Sequence, residues 1–99
     1  VMAIAGGGGQ AELAVVHERQ AMPVPPALDD VAAGGVPEVF TTAHDALFTQ
    51  GALAPGERLL VHGAAGGVGT AAVQLGAAAG AIQAQVVGGR LALVQDPTP

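Results

Sequence analysis

Apolar and polar positions along the chain change period several times, and each change marks an element. Leu59, Leu60 and Val61 form a short unbroken apolar run directly after the turn signal Pro55-Gly56. A run that is apolar on both alternating faces predicts a strand buried on both sides, as in a parallel sheet. Beyond it, Val68, Ala71, Ala72, Leu75 and Ala79 recur at the spacing of one helix face. Gly80 then stands where a helix C-terminus favours a residue tolerant of positive φ. An earlier stripe of Val36, Phe40, Ala43 and Leu47 predicts another helix. Pro37 suits its first turn, Glu38 complements its dipole, and Gly51 ends it.

The flanks are less regular. Residues 1–5 and 11–16 read as two strands joined by Gly6, Gly7, Gly8 and Gly9, so the opening is expected to be a hairpin. Met22-Pro23-Val24-Pro25-Pro26 is extended, because each proline restricts its predecessor. Asp29 or Asp30 caps a short helical turn over 31–33. In the tail, Gln83 and Gln85 put polar groups on one face, and Gly88-Gly89 ahead of Arg90 predicts a hairpin.

Chemistry concentrates between the strand and the helix, where Gly63, Gly66, Gly67 and Gly69 follow one another as G-x-x-G-G-x-G. A strand, a glycine turn and a helix begin a dinucleotide-binding βαβ unit. A pyrophosphate must reach backbone N–H groups at the helix N-terminus, where side chains would block it and the helix end attracts the anion. A glycine-rich turn with no ligand is the competing explanation. The first glycine cluster, Gly6 to Gly9, carries no such reading, because no helix follows it. Asp29 and Asp30 resemble a carboxylate pair, yet capping explains them and nothing nearby supplies a third metal ligand. His17, beside Glu18 and Arg19, is read as a solvated loop residue.

Composition narrows the picture. The chain has 99 residues, among them 22 alanines, 16 glycines and only two aromatics, Phe40 and Phe48, so its apolar content buries little area per residue. A formal charge of −5 with no lysine argues against nucleic acid or an anionic membrane as partner. The absence of cysteine removes disulfides and thiolate zinc sites. No charged segment with an apolar core and a cleavage site opens the sequence, so a cytoplasmic protein is expected. From Leu59 to Gly89 no charge occurs, and Gly76 and Gly80 form a G-x-x-x-G pair. Still, the stretch is Ala/Gly-rich, carries His62 and several glutamines, and lacks basic or aromatic flanks, which argues against a membrane span.

VHGAAGGVGTAAVQLGAAAGA closely resembles the nucleotide-binding turn of the medium-chain dehydrogenase/reductase superfamily, in its zinc-free quinone oxidoreductase branch. The turn is one residue longer than the G-x-G-G-x-G of the zinc alcohol dehydrogenases, which favours that branch. Upstream, VPEVFTTAHDALFTQGALAPGERLLVHGAAGGVG is similar to the branch's linker helix, turn and first nucleotide-binding strand. GGGGQAELAVVHERQAMPVP is similar to the end of its GroES-like catalytic domain. The resemblance covers roughly residues 1–81. It implies an α/β fold: residues 1–36 as the last piece of the catalytic domain and residues 37–99 as the start of an incomplete Rossmann domain.

The implied chemistry is hydride transfer from NADPH to a quinone or an activated alkene (an enone), without metal. By resemblance the cofactor-binding residues are Gly63, Ala65, Gly66, Gly67, Val68 and Gly69 in the turn. Thr42 joins them, matching the threonine of the family's L-T-A-Y motif, which faces the nicotinamide end; His44 takes the tyrosine position and is assigned no chemistry. No residue of the chain is given a catalytic role. After Ala81 the resemblance weakens. An NAD-selective site places Asp or Glu about 20 residues beyond the glycine turn, and no acidic residue occurs between Glu57 and Asp96. That favours NADPH, with Arg90 as partner for the 2′-phosphate or, on the plainer reading, as a solvated turn residue. A fragment of such an oxidoreductase is the expectation, with a homo-oligomer left open. The alternative is a non-catalytic remnant whose glycine turn no longer binds a nucleotide tightly.

Overall fold

The computed structural model describes residues 1–95. The last four residues of the expected 37–99 domain, Asp96 among them, lie outside the described residues. The chain divides into two units, Val1–Glu38 and Val39–Pro99.

The first unit is mostly irregular. Its one isolated bridge pairs Met2 with Met22 in antiparallel fashion, through Met2 N–H to Met22 O at 2.8 Å and Met22 N–H to Met2 O at 2.7 Å. This replaces the expected hairpin between 1–5 and 11–16. Leu13 and Val15, at 89% and 101% exposure, have no apolar surface to cover them, and a two-stranded ribbon without such a surface is marginal in water. A single 3-10 turn follows at Glu18–Gln20, with His17 Nδ1 accepting from Arg19 N–H at 3.1 Å. Helix α1 spans Asp30–Gly34. Between the two candidate caps, Asp29 takes the role: its Oδ1 accepts from Ala32 N–H at 2.7 Å.

Helix α2 spans Pro37–His44 and runs on into a π-helical segment, Asp45–Gln50, that Gly51 closes. Here the expected single helix widens by one residue per hydrogen bond, a change the periodicity of Val36, Phe40, Ala43 and Leu47 does not announce. A Cβ at Gly51 would meet the Ala46 carbonyl at 2.8 Å and the Leu47 carbonyl at 2.9 Å, so the chain needs glycine to turn there. His44 packs its ring on Phe48 with centroids 4.9 Å apart.

The remainder is an α/β unit. Strand β1 (Arg58–His62) leads through the glycine turn into α3 (Gly67–Ala78), then into β2 (Ile82–Val87) and β3 (Arg90–Gln95). Strand order is β1-β2-β3, with β1 and β2 parallel from Arg58↔Ile82 to His62↔Val86. β2 and β3 are antiparallel, joined at Val87↔Arg90 by Gly88 and Gly89, both at positive φ (58° and 75°). Two consecutive left-handed residues match the right-handed twist of a two-residue hairpin. Gly80, at φ 79°, ends α3 as the sequence predicts.

Val61, Ala64, Ala71, Ala72 and Ala43 form the buried cluster, with Val39, Phe40, Leu47, Leu59, Val73 and Leu75 packed against it. Burial alternates along β1, with Val61 buried and Leu59 half-buried, whereas Leu60 is 52% exposed. The expectation of burial on both faces therefore holds on one face among the described residues. Gln83 and Gln85 share one face of β2, as expected, and on that face Gln83 is buried. Gln83 shares its register position with Leu59, lies against Gly76 of α3, and is 1% exposed. Glycine at 76 leaves the clearance that this long amide fills. No helix among the described residues is long and apolar enough to cross a membrane.

Candidate nucleotide site

At the carboxyl end of β1 the chain turns sharply into α3. Gly63 takes φ 66°, and Gly66 N–H returns to the Gly63 carbonyl at 2.9 Å, closing a tight loop. The loop is tied to the neighbouring strand by Gly63 and Ala64 N–H, which both donate to the Val86 carbonyl at 2.9 and 3.3 Å. Thr70 fastens it from the helix side: its N–H donates to Gly66 O at 2.8 Å and its hydroxyl to Ala64 O at 3.3 Å. Ala64, buried under the helix, anchors the middle of the loop.

The four glycines divide into two kinds. A Cβ at Gly69 would collide with the Gly63 carbonyl oxygen and stand 2.8 Å from Ala64 Cα, so helix and turn could not approach as they do. At Gly67 it would meet Val39 Cγ1 of α2 at 3.0 Å. A side chain at either position would therefore run into protein, although Gly67 itself is exposed. A Cβ at Gly63 would meet nothing within 4 Å, and at Gly66 only the Gly63 carbonyl at 3.3 Å. These two face outward, beside exposed Ala65 and Val68.

Gly66 is the N-cap of α3 and supplies no side-chain cap, so the first N–H groups of the helix receive no side-chain acceptor from it. An uncapped helix start behind an outward glycine surface suits a phosphate group: donors converge, the helix end is partly positive, and no side chain intervenes. The site also lies at the carboxyl end of a parallel strand pair, where open α/β sheets receive ligands.

Residues 63 and 65–69, singled out from the sequence, are thus one contiguous loop. Arg90 is exposed and pairs with Val87, one step beyond the Val86 carbonyl that holds Gly63 and Ala64. Strand register therefore brings it to the same end of the sheet. Thr42 is exposed on α2, three residues along from Val39, which touches the Gly67 position. The structure adds two residues to the neighbourhood. Thr70 was legible as a hydroxyl directly after the last glycine, placed to bond back into the turn. Val39 carried no sequence signal beyond an apolar residue in the first turn of a helix.

No family model matches the chain. It is 48% identical over 68 residues to the polyketide synthase GfsB of Streptomyces halstedii, covering 69% of this chain and 1% of that protein. It is 46% identical over 74 residues to the erythronolide synthase EryA2 of Saccharopolyspora erythraea, covering 75% of this chain and 2% of that protein. Among solved structures, the quinone oxidoreductase of Thermus thermophilus, also solved in complex with NADPH, matches with a TM-score of 0.76 and 38% identity. That match covers 84% of this chain and 28% of the other. The CurK enoyl reductase matches with a TM-score of 0.63 and 39% identity, over 67% of this chain and 20% of the other. The chain thus spans a small part of every one of these relatives, and its small α/β fold with a three-stranded mixed sheet matches that of the solved oxidoreductases.

Proposed function

We propose that this chain forms the nucleotide-binding part of an NADPH-dependent reductase acting on a polarised carbon–carbon double bond, as in an enoyl group. The observation that carries the reading is the outward surface of Gly63 and Gly66 over the uncapped start of α3. Ala65, Gly67 and Val68 would hold the pyrophosphate through backbone N–H groups, with Gly66 leaving its approach clear of side chains, while Gly69 lets the helix approach the turn. Arg90 would meet the 2′-phosphate and Thr42 would flank the nicotinamide end. When bound, NADPH supplies the hydride, and this chain's own residues bind and orient. Residues 1–36 would belong to the substrate-side domain and residues 37–99 to the nucleotide-binding domain.

Similarity to an enoyl reductase and to polyketide synthases favours an enoyl acceptor. A quinone acceptor is the second reading, favoured by the wider structural match to the Thermus thermophilus quinone oxidoreductase. Amide NMR of the chain titrated with NADPH tests the binding role, with shifts expected at Gly63 to Thr70 and at Arg90. Shifts scattered elsewhere, or none at millimolar cofactor, would leave the turn as an inherited but idle feature. NADPH oxidation with an enoyl thioester against a quinone then separates the two acceptors.

A further inference from the structure

Resting on the cofactor reading above, we propose that Val39 is a positioning residue that sets the spacing between the two ends of the nucleotide site. The juxtaposition is specific. Val39 Cγ1 stands 3.0 Å, and its Cβ 4.0 Å, from where a Gly67 side chain would begin. Outside its chain neighbours and its own helix, no other residue comes within 4 Å of that point, so a side chain at 67 would press on Val39 of α2 alone. Gly67 is the first residue of α3, next to the outward-facing Gly66. Thr42 lies three residues from Val39 on α2, nearly one turn along the same face. The Val39–Gly67 contact therefore joins the helix that carries Thr42 to the loop that would hold the pyrophosphate.

A β-branched side chain suits such a role, because its χ1 is nearly fixed within a helix and the contact surface does not wander. Val39 is also packed against the buried cluster that includes Ala43, Val61 and Ala71, which restrains its movement. Shortening it would let α2 and the start of α3 shift relative to each other without emptying the core. The loss would appear in cofactor affinity more than in folding.

The test compares wild type with Val39→Ala, Val39→Thr, Gly67→Ala and the Val39→Ala/Gly67→Ala double variant, using NADPH as probe in amide NMR titrations alongside thermal melts. Val39→Ala is expected to weaken NADPH binding roughly tenfold, and Val39→Thr, equal in shape, to restore it to within about twofold. Gly67→Ala is expected to weaken binding in the wild-type background and to add almost nothing once Val39 is alanine, the signature of a shared contact. If Gly67→Ala costs the same factor in both backgrounds, the positioning role is overturned while NADPH binding stands. If wild type itself shows no NADPH-dependent shifts in the glycine turn, the cofactor reading falls and the positioning role with it.

Discussion

Gln83 donates its side-chain amide to the Val73 carbonyl across 2.9 Å, joining β2 to the middle of α3. Its own Oε1 is buried and has no hydrogen-bond partner among the described residues. An orphaned buried acceptor costs about 1–3 kcal/mol, whereas a neutral hydrogen bond contributes about 1 kcal/mol net. Gln83→Leu, close in volume, is therefore expected to raise stability by about 1 kcal/mol in a urea melt. A loss of that size instead would show that the bond to Val73 outweighs the orphaned oxygen.

Substitution at the glycines separates folding from binding. Gly69→Ala drives a methyl group into the backbone of Gly63 and Ala64, which cannot yield as a side chain would. A cost of about 3 kcal/mol is expected, at the upper end for overpacking. At Gly66 the methyl group faces outward and meets only the Gly63 carbonyl at 3.3 Å. Gly66→Ala should cost about 1 kcal/mol as an N-cap change while weakening NADPH binding. Melting temperature and NADPH dissociation constant, measured on both variants, check the split; a Gly66→Ala protein that binds like wild type contradicts it.

Gly76→Ala forms a third case. Its methyl group would stand 2.7 Å from Leu59 Cδ2 and 3.2 Å from the Gln83 side chain. The obstruction is side chain rather than backbone, so the predicted cost of about 1–3 kcal/mol should shrink when Leu59 is also changed to valine. Equal costs in both backgrounds, read from denaturant melts, would remove Leu59 as the cause.

Cofactor selectivity follows from charge at the end of the sheet. Arg90 is exposed next to the β2–β3 turn, and no carboxylate stands between Glu57 and Asp96 in the sequence. NADPH should be preferred over NADH by at least about tenfold, which is about 1.4 kcal/mol. Arg90→Ala should remove most of that preference. Parallel titrations with the two cofactors measure it, and an unchanged ratio in the variant would relieve Arg90 of the role.

The turn beside Arg90 yields a prediction of its own. Gly88 and Gly89 both have left-handed φ, which asparagine tolerates and β-branched residues do not. Gly88→Asn should melt like wild type, and Gly88→Val should lose about 1–2 kcal/mol. Equal melts for the two would mean that the hairpin adopts another turn.

What was legible in the sequence came from rules that act locally. Leu59 to Val61 announced β1, the Val68 and Ala71 spacing announced α3, and the Asp29-Asp30 pair, Gly80 and the Gly88-Gly89 pair announced a cap, a helix end and a turn. The glycine turn could be placed from residue order because its four glycines fall within seven residues between a strand and a helix. What escaped depended on distant partners. Leu13 and Val15 alternate like a strand, but nothing in this chain's described residues covers them. The burial of Gln83 was not legible, because it is made possible by Gly76 on another element. The approach of Val39 to the Gly67 position could not be foreseen, because Gly67 follows much later in the chain. The π-helical continuation of α2 left no mark in the hydrophobic stripe.

The antiparallel β3 changes the order in which this sheet can assemble. β2 and β3 close over two residues, and such hairpins form within about 1–10 μs. β1 meets β2 only after α3 has been spanned and docked, a non-local pairing whose loop-closure entropy must be met before any contact repays it. During refolding β2 would therefore present itself to β1 already paired with β3, as the edge of a ribbon rather than a lone strand. The glycine turn, hung between β1 and α3 and tied to Val86 of β2, would be among the last parts to settle.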